Sequence, residues 1–237
     1  QPLLIAAQYT QAVVEDLLIH GVSLDNITIA PTNNNDTWAR DHAFITTLDE
    51  AGKTAVLHDF QFNGWGMKFA ACFDNLINKS ISEGVVDIYG KHGFGAEYSN
   101  HLDFVLEGGS IESDGEGTLM VTSSCLLSAN RNDVLSKAEI EQRLLRCFHA
   151  ERVLWLENSW LEGDDTDGHI DTVARFCSPG TIAYVKCLDG EDVNYDTLTA
   201  MERELESFRT IDNHRYNLVP LPLPDPCYDD EGNRLPA

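Results

Sequence analysis

Two short apolar-rich runs, residues 43–48 (AFITTL) and 54–60 (TAVLHDF), flank the turn-rich Asp49-Glu50-Ala51-Gly52 and predict a β-hairpin. The spacing then changes to that of a helix over residues 68–79, where Phe69, Cys72, Phe73, Leu76 and Ile77 share one face. Val85–Tyr89 reads as a short strand. The same order of events follows twice more. Residues 104–113 and 118–127 flank Asp114-Gly115-Glu116-Gly117. A helix over 137–149 is opened by the capping-box pattern Ser136-Lys137-Ala138-Glu139, and a strand lies at Arg152–Leu156. His169–Phe176 and Ile182–Cys187 pair through Ser178-Pro179-Gly180-Thr181, followed by a helix over 196–209 and a strand over 216–221. Upstream, a helix over 9–20 and a strand at Asn26–Ala30 resemble the last half of one more unit.

The pattern is thus a ββαβ module of about 60–65 residues, present about three and a half times. Such modules bury their apolar faces only against neighbours, so the fold class is α/β and built by repetition. No Gly-, Ser- or Pro-rich linker divides the chain, so 1–237 is expected to be a single domain. Three and a half modules do not obviously close a ring, and a partial ring leaves strand edges open to solvent or to a partner. Residues 222–237 read as loop.

Charge narrows the function classes. With 16 Lys+Arg against 39 Asp+Glu the net charge is −23, the wrong sign for nucleic acid or for an anionic membrane surface. A field of that sign favours a cationic ligand, although solubility alone is the commoner reason for such a charge. No apolar run is long enough for a membrane span, and the N-terminus has no basic signal-like region. The six cysteines form no C-x-x-C pair and mostly sit in apolar runs, so buried thiols in a reducing cytoplasm are expected.

Polar residues with no evident folding role gather at the module entrances. Asn35–Asp41 (NDTWARD) precedes the first, Leu106–Ser110 (LEGGS) opens the second, and Asp164–Asp171 (DDTDGHID) opens the third. Arranged around an axis, equivalent entrances would converge. If His169 and Asp171 stand two apart on a strand they point to one side while Ile170 faces the core, an arrangement suited to proton transfer or to a plain structural hydrogen bond. Trp38 offers a face to a cation and Asp36 or Asp41 can grip a guanidinium, unless Arg40 simply pairs locally and Trp38 is core. Glu107 lies in an otherwise apolar strand beside a Gly pair. It either bonds backbone amides or reaches a shared polar site. The acidic run at 164–168 fails as an EF-hand, because Gly163 and Ala174 fall where ligands are required; a looser cation site stays open.

Together, NDTWARD at 35–41, LEGGS with DGEGTLMVT at 106–122, NRN at 130–132 and DDTDGHIDTVARF at 164–176 resemble the agmatine deiminase and bacterial-type peptidylarginine deiminase family of the guanidine-modifying (pentein) superfamily. The resemblance implies a pseudo-five-fold α/β propeller of ββαβ modules. It implies that Trp38, Asp41 and Asp171 hold a guanidinium, that His169 is the general acid and base, and that Glu107 is its acidic partner. It further implies a cytoplasmic hydrolase of agmatine in polyamine biosynthesis, with neither metal nor organic cofactor and homo-oligomerisation left open. Peptidyl-arginine or another guanidine is the alternative substrate. The family's nucleophilic cysteine lies in a G-N-x-H-C segment that this sequence does not contain, so the chain is expected to be a piece of the enzyme and inactive alone. A non-catalytic fragment that binds a cationic ligand is the alternative.

Overall fold

The computed structural model describes residues 3–91 and 95–235, and their strands gather into four small sheets. Two compact units divide the chain, Gln1–Gly108 and Gly109–Ala237.

In the first unit, β1 (Leu3–Ala7), α1 (Thr10–Ile19) and β2 (Ile27–Pro31) form a parallel βαβ pair. A one-turn helix, α2 (Ala39–His42), leads into the hairpin of β3 (Ile45–Leu48) and β4 (Thr54–Gln61). After α3 (Gly64–Met67) and α4 (Asp74–Lys91), β5 (Gly95–Val105) returns parallel to β4. Ala55 and Leu57 of β4 pack with Val85 of α4 to form a small core.

The second unit repeats the plan twice. A 3-10 turn (Gly108–Ser110) precedes β6 (Glu112–Ser113), antiparallel to β7 (Thr118–Thr122). Then α5 (Ser123–Leu126) and α6 (Lys137–Phe148) lead to β8 (Arg152–Leu156), parallel to β7. Another 3-10 turn (Ile170–Thr172) precedes β9 (Ala174–Ser178), antiparallel to β10 (Thr181–Lys186). Finally α7 (Tyr195–Ser207) crosses to β11 (Asn217–Pro222), parallel to β10. Met120, Leu156, Ile170, Ile182, Leu198 and Met201 are fully or almost fully buried in one core. Each such side chain contributes about 1.5–3 kcal/mol by leaving water.

All three modules share one backbone device. The central strand starts at a threonine (Thr54, Thr118, Thr181), and the residue before it accepts the amide that starts the parallel strand. These bonds run from Gly95 N to Lys53 O and from Asn217 N to Gly180 O, each 2.8 Å, and from Arg152 N to Gly117 O at 3.3 Å. The ββαβ repeat is therefore one of register as well as of element order.

Several boundaries differ from the sequence expectation. Val85–Tyr89 is the continuation of α4, and the strand of that module begins at Gly95. Its β-branched residues favour a strand only locally; packing of Val85 onto β4 carries the helix on. The stripe of Phe69, Phe73 and Leu76 stays largely exposed, because residues 64–67 turn with the opposite hand and α4 starts only at Asp74. Of that expected face only Ile77 turns inward, beside Asn78. The strand expected over 118–127 stops at Thr122, whose Oγ1 accepts the Cys125 amide at 3.2 Å and caps α5. The thiols are less buried than expected: Cys125 and Cys187 are buried, while Cys72, Cys177 and Cys227 are exposed. No helix among the described residues is long and apolar enough to cross a membrane.

Candidate active site

At the first entrance, one carboxylate shapes the loop. Asp74, at the start of α4, accepts the amides of Asn35 (2.7 Å) and Asp36 (3.2 Å) on one oxygen. Asn35 Oδ1 in turn accepts the Phe73 amide (2.8 Å), and Asp36 Oδ1 accepts that of Trp38 (3.0 Å). So held, the loop leaves Trp38 64% exposed just before α2 and turns Asp41 inward. Trp38 is therefore not a core residue, and its indole face can meet a cation. The Asp41 Oδ2 accepts a hydrogen bond from the indole N–H of Trp65 at 3.0 Å, with both residues buried. Trp65 was not singled out by sequence; the signal present is Asn63-Gly64-Trp65-Gly66, a bulky residue between glycines. His42, the residue after Asp41, is buried too. Desolvation pushes the imidazole below its ordinary value of 6.5, against the pull of Asp74, Asp36 and Asp41.

Glu107 is fully buried, not within a strand as expected but two residues past the end of β5, ahead of the Gly108–Ser110 turn. The residue after it must be small, since a Cβ on Gly108 would stand 2.1 Å from the Arg40 carbonyl oxygen. That close approach lays the Glu107 segment against the Arg40-Asp41 turn. The two carboxylates thus sit on adjoining backbone within one unit.

In the second unit, His169 and Asp171 come together, though not on a strand. His169 precedes the 3-10 turn, Ile170 is sunk in the core, and β9 begins only at Ala174. His169 Nδ1 and Asp171 Oδ1 are 3.9 Å apart, with the imidazole almost fully buried and Asp171 partly open. The turn arises because the preceding loop is closed by its own carboxylate. Asp164 Oδ1 accepts the amide (2.9 Å) and hydroxyl (2.6 Å) of Thr166, and Oδ2 accepts the Gly168 amide (2.6 Å). Thr166 Oγ1 accepts the His169 amide at 3.1 Å.

Two further contacts anchor this loop. Arg131, the centre of the NRN segment, donates to the Thr166 carbonyl at 2.7 Å. Thr122 Oγ1 donates to the Gly168 carbonyl. Gly168 has φ +91°, and a Cβ there would meet Ser124 Oγ at 2.2 Å. The Cys125 thiol lies within 4.8 Å of a His169 ring nitrogen. The sequence marks that cysteine only as one of six thiols, because proximity across 44 positions leaves no local pattern. Each unit thus presents buried ionisable groups at a module entrance: carboxylates with an exposed indole in one, an imidazole with a carboxylate in the other.

A family model described as Porphyromonas-type peptidyl-arginine deiminase matches residues 1–237. The agmatine deiminase of Pseudomonas aeruginosa (strain LESB58) is 35% identical over 204 residues, which is 86% of this chain and 54% of that protein. Among solved structures, a cysteine-to-serine variant of C. jejuni agmatine deiminase with substrate bound superposes with a TM-score of 0.83 at 36% identity. It covers 100% of this chain and 64% of that one. Agmatine deiminase of Enterococcus faecalis gives a TM-score of 0.78 at 28% identity, over 99% of this chain and 63% of that one. The chain spans about half the length of the curated relatives it matches.

Proposed function

Because the chain belongs to the Porphyromonas-type peptidyl-arginine deiminase family, we propose that the protein carrying it hydrolyses the guanidinium of agmatine, giving N-carbamoylputrescine and ammonia. The observation that carries this reading is the buried His169 imidazole beside Asp171, at the end of a loop closed by Asp164. A guanidinium is a resonance-stabilised cation and a poor electrophile, so it must be held rigidly and met by a strong nucleophile. Asp41 and Asp171 grip its N–H groups, Trp38 lies against its face, and Glu107 is the acidic partner of His169. A cysteine thiolate, which the family carries in its G-N-x-H-C segment, adds to the guanidinium carbon. His169 passes a proton to the departing nitrogen and ammonia leaves, forming a thiouronium. His169 then takes a proton from water as the oxygen adds to the same carbon, and the carbon–sulfur bond breaks to return the thiolate.

The reading brings with it a five-fold α/β propeller, to which residues 1–237 contribute one incomplete domain. It also brings a place in polyamine formation in the cytoplasm. Relatives named agmatine deiminase at 32–35% identity support the choice of agmatine, and the net charge of −23 suits a small free cation. The family description favours a second substrate, peptidyl-arginine. Full-length protein assayed on both compounds separates them by which one releases ammonia. In the same assay, His169→Ala is expected to lower turnover by at least about a thousandfold, in line with loss of both proton transfers. Turnover near the wild-type value would overturn the assignment.

A further inference from the structure

The least ordinary backbone among the described residues of the first unit leads to Asp41. Gly64, Trp65, Gly66 and Met67 all have positive φ (73°, 54°, 76° and 69°), a complete turn of left-handed chain with two side-chain-bearing residues in it. The turn is closely specified. Asn63 Oδ1 accepts the Gly66 amide at 3.0 Å, and Gly64 O accepts those of Lys68 (3.0 Å) and Phe69 (3.2 Å). A Cβ on Gly64 would lie 2.1 Å from Phe69 O, so the turn cannot relax around a larger residue. What this strained turn achieves is to bury one indole, edge-on to Phe62 (4.9 Å) and Phe69 (5.7 Å), with its N–H directed at Asp41 Oδ2.

Packing alone does not require that donor, since a phenyl ring would meet Phe62 and Phe69 equally well. A carboxylate can use it. The final torsion of Asp is broad, so a carboxylate plane is set by its hydrogen bonds rather than by its rotamer. A guanidinium, in contrast, is planar and rewards two parallel bonds to one carboxylate. We infer that Trp65 is a positioning residue: its indole N–H fixes the plane of the Asp41 carboxylate for a guanidinium. This rests on Asp41 being the clamp proposed above.

Steady-state kinetics of the full-length protein on agmatine test it, with melting temperatures confirming that each variant is folded. Trp65→Phe keeps the ring contacts and removes the donor. KM is expected to rise about 10- to 100-fold, the range for a charge-assisted hydrogen bond, while kcat changes much less. Trp65→His, which restores a ring N–H on a smaller ring, should recover part of that loss. Where Trp65→Phe does not fold, Trp65→Met fills the pocket without a donor and takes its place. A donorless variant with KM within twofold of wild type, or a histidine variant no better than the donorless one, would overturn the inference. Asp41→Asn separates the two levels. If it leaves KM unchanged, the clamp itself is wrong; if it abolishes binding while Trp65→Phe keeps KM within twofold of wild type, only the role of Trp65 falls.

Discussion

Asp41 and His42 are consecutive residues of one helical turn, and burial gives them opposite tasks. Asp41 receives the Trp65 donor, whereas His42 has three carboxylates nearby and still sits below its ordinary pKa, because desolvation outweighs their attraction. A depressed folded-state value means that the unfolded chain binds the proton more readily. The stability that His42 contributes is therefore present above pH 6.5 and is lost as pH falls from there through the lower folded value. Replacement by Phe removes this linkage. Unfolding free energies from denaturant titrations between pH 7 and pH 5 should decline less steeply in His42→Phe than in wild type. Equal slopes would mean that folding does not shift the imidazole pKa, against the desolvation argued here. At the same scale, the residue types at the entrances were legible from sequence, since Trp38, Asp41, Glu107, His169 and Asp171 stand where apolar periodicity breaks. Trp65 was not legible, because what singles it out is a contact 24 residues away.

At the scale of elements, the loop ahead of His169 is held by the hydrogen bonds of one carboxylate, and those bonds turn what reads as a strand into a 3-10 turn. Asp164→Ala would leave the Thr166 and Gly168 amides and the Thr166 hydroxyl without their acceptor. A cost of about 2–4 kcal/mol is expected, from several lost hydrogen bonds that water partly replaces. Asp164→Asn keeps one acceptor oxygen and should lose less. Chemical denaturation of the three proteins measures this, and a loss below about 0.5 kcal/mol for the alanine variant would show that the loop is held elsewhere. Helix α6 shows the converse case, where local sequence suffices. Ser136 and Glu139 form the reciprocal capping box that their spacing predicts, and the helix starts at Lys137. A capping box lies within four residues, so sequence contains all of it. The end of β7 needs the rest of the fold, because Thr122 both caps α5 and donates to Gly168, 46 positions on.

For the whole molecule, the dominant sequence fact is the charge of −23. Like charges at this density oppose compaction, and salt screens them. Raising NaCl from about 10 mM to about 150 mM shortens the Debye length from about 30 Å to about 8 Å, so the melting temperature should rise by several degrees. Scanning calorimetry reads this directly; a fall with salt would mean that attractive pairs outweigh the repulsion. The sequence by itself determined the module: a hairpin, a helix and a returning strand, repeated at intervals of about 60–65 residues, with the polar entrances between them. It could do so because strand alternation, helical periodicity, turn residues and caps are all local. Tertiary structure alone decided where α4 ends, which face of it is buried, and that His169 precedes a turn. It also decided that an indole from a left-handed turn meets Asp41. Each of these depends on which distant group removes a side chain from water or completes its hydrogen bonds, and that energy has no signature within a few residues of chain.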